Sequence, residues 1–321
     1  MNNTRGFITV ATGNYYCMLA QNLAMSYRLF SKTEYPLYVL TDQKGEKRLK
    51  KYFDGVIVMK EPTYTFLDKI AVYQNSPFEE TIFLDADMDI VRDISFLFDE
   101  FTRNGAEVSC IGSLREITDD DRPIHFGDAA IKRFHLTHYL AFNGGVYYYK
   151  KSQKADAFFQ YIHDELIPNY RLYELKEFRS GQMADEPLIG LAMVVLDIKP
   201  MSSKHDIMKL VQDINTVTWD MKAGSCRLIW YGREVSPAML HYGTHNTLTK
   251  KYVYYNAIVK CRYRHIRFLT PLFVIADETV LLFRHLGRKN DRKAFYRWFS
   301  SHFTKEHWSY RINQIKSLFK K

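Results

Sequence analysis

The first half of the chain is punctuated by short apolar runs at Gly6 to Ala11, Pro36 to Thr41, Gly55 to Met59, Thr81 to Leu84 and Val108 to Gly112, with helical spacing between them. Such runs are too short for buried helices and read as strands; strands that alternate with helices build a sheet from βα units. Tyr15 to Phe30 repeats Met18, Leu19, Ala20, Leu23 and Tyr27 or Leu29 at helical spacing, and Glu46 to Phe53 reads as a short basic helix. Phe66 to Gln74 places Phe66, Ile70 and Tyr73 on one helical face before the turn-like Asn75-Ser76-Pro77.

The second half is patterned differently. Thr118 to His138 is polar and irregular, which predicts a mobile loop, and Tyr139 to Lys150 predicts a strand whose Gly144-Gly145 pair marks a backbone that something must approach closely. Lys154 to Asn169 predicts an amphipathic helix with Ala157, Phe158, Tyr161 and Ile162 inward. Asp185 to Val195 opens with Asp-Glu-Pro, the acids and proline favoured in a first helical turn.

Composition narrows the class. Hydrophobic residues make up 46% of 321 and charged residues 25%, enough apolar surface for a large core and too much for wholesale disorder. Cys17, Cys110, Cys226 and Cys261 are far apart and show no CxxC spacing, so a zinc or thiol-redox motif is not indicated and a reducing compartment is expected. The sequence begins without the apolar core and cleavage pattern of a secretory leader. The longest apolar stretch, Phe268 to Phe283, is interrupted by Pro271 and Asp277-Glu278. A cytoplasmic location is expected, with attachment to the inner face of a membrane as one option for the tail.

The net charge of +9 is concentrated at one end: from Lys250 onward there are 17 Lys or Arg against 4 Asp or Glu. Composition shifts to basic and aromatic at about Tyr252, which predicts one domain over residues 1–250 and a helical extension over 251–321. In that extension Phe295, Trp298, Phe299 and Phe303 share one helical face, and Trp308, Ile312, Ile315 and Phe319 share another. Flanked by basic residues, such faces suit an anionic membrane surface or, equally, a homodimer or packing contact.

The sharpest chemical feature is Ile82-Phe83-Leu84-Asp85-Ala86-Asp87, an apolar strand ending in two carboxylates at i and i+2. On an extended segment both lie on one side, where their repulsion is relieved by a hard divalent cation with oxygen ligands. The open ends of strands in α/β sheets are also where ligands bind. The same pair would serve equally well as a solvated cap on the next helix. A GxGxxG fingerprint is absent, and Ala11-Thr12-Gly13-Asn14-Tyr15 is not the glycine-rich basic loop of a sugar-nucleotide pyrophosphorylase.

Four segments in order resemble the GT-A glycosyltransferases, most of all the glycogenin and lipopolysaccharide glucosyl- and galactosyltransferase-like group of family 8. They are Phe7 to Tyr16, Lys69 with Phe83 to Asp87, Phe142-Asn143-Gly144-Gly145-Val146, and Asp185-Glu186 followed by His241-Tyr242-Gly243. The resemblance implies a mixed α/β fold and transfer of a hexose from a UDP-sugar to a glycan or lipid-linked acceptor, with retention of configuration. It implies Asp85, Asp87 and His241 as ligands of Mn²⁺ or Mg²⁺, the imidazole favouring Mn²⁺. Val10, Thr12 and Tyr16 match the uridine site, with Lys69, Ala86, Gly144, Glu186 and Gly243 around the rest of the donor. Asn143 matches a residue facing the donor sugar, and Asp185 an acid beside the transferred sugar.

Two departures stand out. Glu186 occupies a position where the family often has Gln or Asn, and the family's Lys-Pro-Trp after the glycine is replaced by Thr244-His245-Asn246, leaving Lys250 or Lys251 for the phosphate. The alternative class, a basic nucleic-acid-binding or other non-enzymatic α/β protein, leaves the ordered acidic site unexplained, so no nucleic-acid partner is expected.

Overall fold

The computed structural model describes residues 4–276, apart from 33, 104, 179–180, 202–206, 212–213, 221–224, 231 and 244–249. The two tail stripes, Phe295 to Phe303 and Trp308 to Phe319, lie outside the described residues, as do the side chains of Lys250 and Lys251. The chain divides into two compact units, Met1–Gly243 and Thr244–Lys321. Among the described residues no helix is long and apolar enough to cross a membrane.

The first unit opens with β1 (Arg5–Ala11), α1 (Gly13–Phe30), β2 (Leu37–Thr41), α2 (Gln43–Leu49) and β3 (Gly55–Val58). It continues through α3 (Val72–Asn75), β4 (Glu80–Leu84), β5 (Met88–Ile90), α4 (Leu97–Thr102), β6 (Val108–Glu116), α5 (Asp128–Phe134) and β7 (His138–Lys150). Then come α6 (Gln153–Tyr161), α7 (Asp185–Val195), β8 (Met208–Leu210), β9 (Ile214–Asp220), β10 (Ser225–Trp230), β11 (Arg233–Val235) and β12 (Met239–His241). The second unit contributes α8 (Lys250–Tyr263) and a single 3₁₀ turn, Arg267–Leu269.

Six strands form the main sheet in the order β3-β2-β1-β4-β7-β6. The first four run parallel, and β7 runs antiparallel to both its neighbours. The sheet is therefore mixed, as expected. β1 shows why its run is apolar throughout: successive side chains point to opposite faces, and both faces are covered. Ile8 joins a core with Leu40, Phe83 and Leu188, while Phe7 packs between Tyr27 of α1 and Phe98 of α4, with ring centroids 5.6 and 5.2 Å away.

A second, smaller sheet, β5-β12-β8, positions the site. β4 ends at Leu84, and after three intervening residues the chain enters β5, which pairs antiparallel with β12 so that Met88 lies opposite His241. This register carries His241 to the acidic turn from 154 residues away. The turn is clamped on both sides: the Asp85 amide donates to the Gly145 carbonyl (2.9 Å) and the Tyr242 amide to the Asp87 carbonyl (3.1 Å).

Three local expectations are corrected. Phe66 to Gln74 is not one helix but a 3₁₀ turn, Phe66–Lys69, followed by the short α3, because Asp68 is turned inward to bind backbone and hydroxyl groups. Thr118 to His138 is not irregular throughout: it holds α5, anchored by buried Phe126 and Ala130, and bridges the ends of the β6–β7 hairpin. The inward face of α6 is Ala155, Phe158 and Ile162, and Ala157 is exposed; a π-helical turn from Ile162 to Leu166 adds a residue and brings Leu166 onto the buried side. The four cysteines are buried, and no disulfide joins them.

Phe7 is fully buried at the centre of this packing, so Phe7→Ala removes contacts on which α1 and α4 both rest. The expected loss is about 3–5 kcal/mol, measured by urea unfolding.

Candidate functional site

The site begins where β1 ends. Thr12 precedes α1, and Gly13 adopts a left-handed φ of +78°, which lets the chain turn tightly into the helix. Two buried carboxylates fix the surrounding loops. Asp42 accepts from the amides of Gly13 (2.6 Å), Lys44 (2.8 Å) and Gly45 (2.9 Å). Burial opposes its charge, but these amides more than compensate and hold the carboxyl below its ordinary range. Asp68 accepts from the Thr12 hydroxyl (2.8 Å), the Thr63 amide (2.8 Å) and hydroxyl (2.7 Å), and the Tyr64 amide (3.1 Å).

A pocket of about 150 Å³ opens between these loops, lined by Val10, Thr12, Tyr16, Tyr64, Thr65, Phe66, Lys69, Asp85 and Gln182. It gathers four residues that the sequence assigned to the donor, namely Val10, Thr12, Tyr16 and Lys69, at the acidic end of β4. Burial first, and the Asp85 charge second, push the Tyr16 hydroxyl up to about 12, so it remains a neutral donor and acceptor at physiological pH. Phe66 stacks on Phe178 at 4.2 Å along one wall. Tyr64, Thr65, Phe66 and Gln182 were not singled out as site residues from sequence; they lie in or beside loops and carry no motif that marks them.

Lys69 links the pocket to the acids. Its Nζ donates to Asp85 Oδ2 (2.9 Å) and Asp185 Oδ2 (3.2 Å), and it lies 5.4 Å from the Phe66 ring centre and 5.7 Å from that of Phe83. Burial disfavours the ammonium, yet Asp185 and then Asp85 raise its pKa above the usual lysine range. Asp185 opens α7 and is almost wholly buried; besides Lys69 its Oδ2 accepts from the Tyr147 hydroxyl (2.8 Å). Burial, partly offset by Lys69, keeps the Asp185 carboxyl above its ordinary range. Glu186 accepts the Gly144 amide at 2.5 Å and is likewise raised, by burial and then by Asp185. A Cβ on Gly144 would lie 2.5 Å from both Glu186 Cγ and the Tyr147 hydroxyl, so only glycine fits between them.

On the other side of Asp85 lies the cluster that the sequence predicted. Asp85, Asp87 and His241 each offer one ligand atom, all within 4.8 Å of one another. His241 Nε2 is 3.1 Å from Asp87 Oδ1 and 3.6 Å from Asp85 Oδ2, and its Nδ1 is 2.7 Å from Asn143 Oδ1. Burial lowers the pKa of His241, but Asp87 and then the bonds to both carboxylates raise it to about 10. Where no metal lies among these groups, a proton on Nε2 supplies the positive charge. The donor set of two carboxylate oxygens and one imidazole nitrogen fits Mn²⁺, which accepts both ligand types.

Not every predicted site residue reaches the pocket by its side chain. Ala86 is buried, and Gly243 takes a left-handed φ of +64° just after β12 with open space at its Cβ position. Asn143 has its carbonyl oxygen engaged by His241 and the Gly145 amide (3.0 Å).

No family model and no curated protein matches the sequence. Solved structures with a similar outline include mouse xyloside xylosyltransferase 1 in its apo form, 14% identical with a TM-score of 0.47 over 75% of this chain and 98% of that one. The apo bifunctional glycosyltransferase WbbM is 12% identical, TM-score 0.48, over 77% of this chain and 47% of that one. The galactosyltransferase LgtC, solved with donor and acceptor sugar analogues, is 11% identical, TM-score 0.47, over 76% and 89%. Likeness this distant decides nothing about chemistry, which rests on the side chains.

Lys69 is the positive partner of two buried acids. In the metal-free protein Lys69→Met strands both charges, with an expected loss of about 3–5 kcal/mol in chemical denaturation.

Proposed function

We propose that the chain is a metal-dependent glycosyltransferase that takes a hexose from a UDP-sugar and passes it to a glycan or lipid-linked acceptor. The observation that carries this reading is the convergence of Asp85, Asp87 and His241 beside a pocket that holds Val10, Thr12, Tyr16 and Lys69. A nucleoside fits the apolar and aromatic end of that pocket, and a diphosphate fits the end where Lys69 and the candidate metal ligands meet.

Asp85, Asp87 and His241 would hold the cation. Bound there, a divalent metal supplies positive charge to the departing nucleoside diphosphate. The remaining work falls to the chain's own residues. Lys69, fixed between Asp85 and Asp185, keeps one permanent cation at the phosphate end. Tyr147 and Lys69 both bind Asp185 Oδ2, which orients that carboxylate and leaves Oδ1 to meet a sugar hydroxyl or to offset positive charge at the anomeric carbon. In the transfer itself the acceptor oxygen bonds to the anomeric carbon, the bond from that carbon to the phosphate oxygen breaks, and the acceptor's proton passes to the leaving phosphate. A nucleic-acid-binding protein would have no use for a buried acidic cluster of this kind, which repels a phosphate backbone.

Calorimetric titration of UDP with and without Mn²⁺ tests the donor site. Wild type is expected to bind UDP only with the metal present, and Asp87→Ala to lose that binding; absence of binding by wild type under both conditions would overturn the reading. Asp185→Asn should leave UDP affinity unchanged and lower kcat for sugar transfer roughly 100-fold or more, the scale of losing one fixed charge at a reacting centre. A wild-type rate in that variant would remove Asp185 from the mechanism.

A further inference from the structure

The resemblance gave Asn143 as a residue facing the donor sugar; its carbonyl oxygen has two partners within the protein. A backbone N–H can only donate, so the Asn143 side-chain atom 3.0 Å from the Gly145 amide nitrogen is the carbonyl oxygen and not the NH₂. That same oxygen lies 2.7 Å from His241 Nδ1. An amide oxygen carries no proton, so Nδ1 must carry one. In neutral imidazole the other nitrogen, Nε2, is then bare, and it is the one that faces Asp87 Oδ1 at 3.1 Å and Asp85 Oδ2 at 3.6 Å.

The arrangement depends on a glycine. A Cβ on Gly145 would lie 2.2 Å from Met88 Cε, 3.0 Å from Asn143 Oδ1 and 3.1 Å from His241 Nδ1. The absence of a side chain there lets strand β7 lie close enough to β12 for one amide oxygen to serve both groups.

We propose that Asn143 is the positioning residue of the metal centre: its carbonyl oxygen, held by the Gly145 amide, fixes His241 in the tautomer that turns a bare Nε2 toward Asp85 and Asp87. This rests on Asp85, Asp87 and His241 being a metal site. An orienting partner on the far nitrogen of a metal-bound histidine sets its tautomer and ring angle, and removing it typically weakens metal binding roughly 10- to 100-fold.

The test measures Mn²⁺ binding with no sugar donor present, by electron paramagnetic resonance of free Mn²⁺, on wild type, Asn143→Ala and Asn143→Asp. Asn143→Ala is expected to lose roughly 10- to 100-fold in Mn²⁺ affinity, and Asn143→Asp, which keeps an acceptor oxygen, to retain most of it. Unchanged Mn²⁺ affinity in Asn143→Ala, with only a higher KM for the UDP-sugar, would overturn the assignment and return Asn143 to the sugar. Failure of wild type to bind Mn²⁺, with or without UDP, would overturn the metal reading itself and this assignment with it. A second measurement needs no folded Asn143 variant: long-range ¹⁵N–¹H spectra of the Mg²⁺-loaded wild type, with the His241 signal identified by its loss in His241→Gln. A proton on Nδ1 supports the assignment; a proton on Nε2 overturns it.

Discussion

Two carboxylates and an imidazole that face one another within 4.8 Å repel unless positive charge lies among them, and the site of this protein is built around that constraint. Lys69 meets part of it, because its ammonium is bonded to Asp85 and reaches on to Asp185. Its hydrogen bonds go to Asp85 and Asp185 and not to Asp87, whose closest charged partner among the described residues is the His241 imidazole. A group that must either carry a proton at an unusually high pKa or share its lone pair with a cation is poised for metal binding.

Holding such a cluster requires a rigid frame. β4 brings Asp85 out of the main sheet, β5 crosses to the small sheet, and the pairing of Met88 with His241 sets the distance to the imidazole. β7 contributes the Gly145 carbonyl on one side and the Asn143 amide on the other, so a single strand bonds both the acidic turn and the histidine. His241 therefore lies on a strand, and the acidic turn is tied by backbone hydrogen bonds to β7 and to Tyr242 just after β12, which suits a centre that must keep its geometry.

Much of this was legible in the sequence, and the parts that were not share a cause. Strands β1 to β4 fall where their apolar runs predicted, because buried strands of an α/β sheet leave an unbroken hydrophobic signature. The acids and histidine could be named because their residue types and order are distinctive. The contact between Asn143 and His241 was not legible, since the two lie 98 residues apart and a sequence does not show which way an amide points. Asp68 and Gln182 were missed because loops are shaped by individual hydrogen bonds without periodicity. The split of Phe66 to Gln74 into two short helices has the same origin: Asp68 faces Thr12 and Thr63 instead of solvent, and a continuous helix would turn it away.

Charge arithmetic connects the frame to its use. Asp85, Asp87, Asp185 and Glu186 surround one lysine, so the site is strongly acidic until a cation enters. A diphosphate is itself an anion and would be repelled from such a cleft on its own. On the proposed function, a divalent ion among Asp85, Asp87 and His241 would offset two of these charges and make the same cleft hospitable to the diphosphate. On that same proposal, electrostatics sets the order of binding: the cation would precede the nucleotide or arrive with it, and selectivity for a metal-chelated donor over free phosphates would begin with the charge that the protein leaves uncompensated.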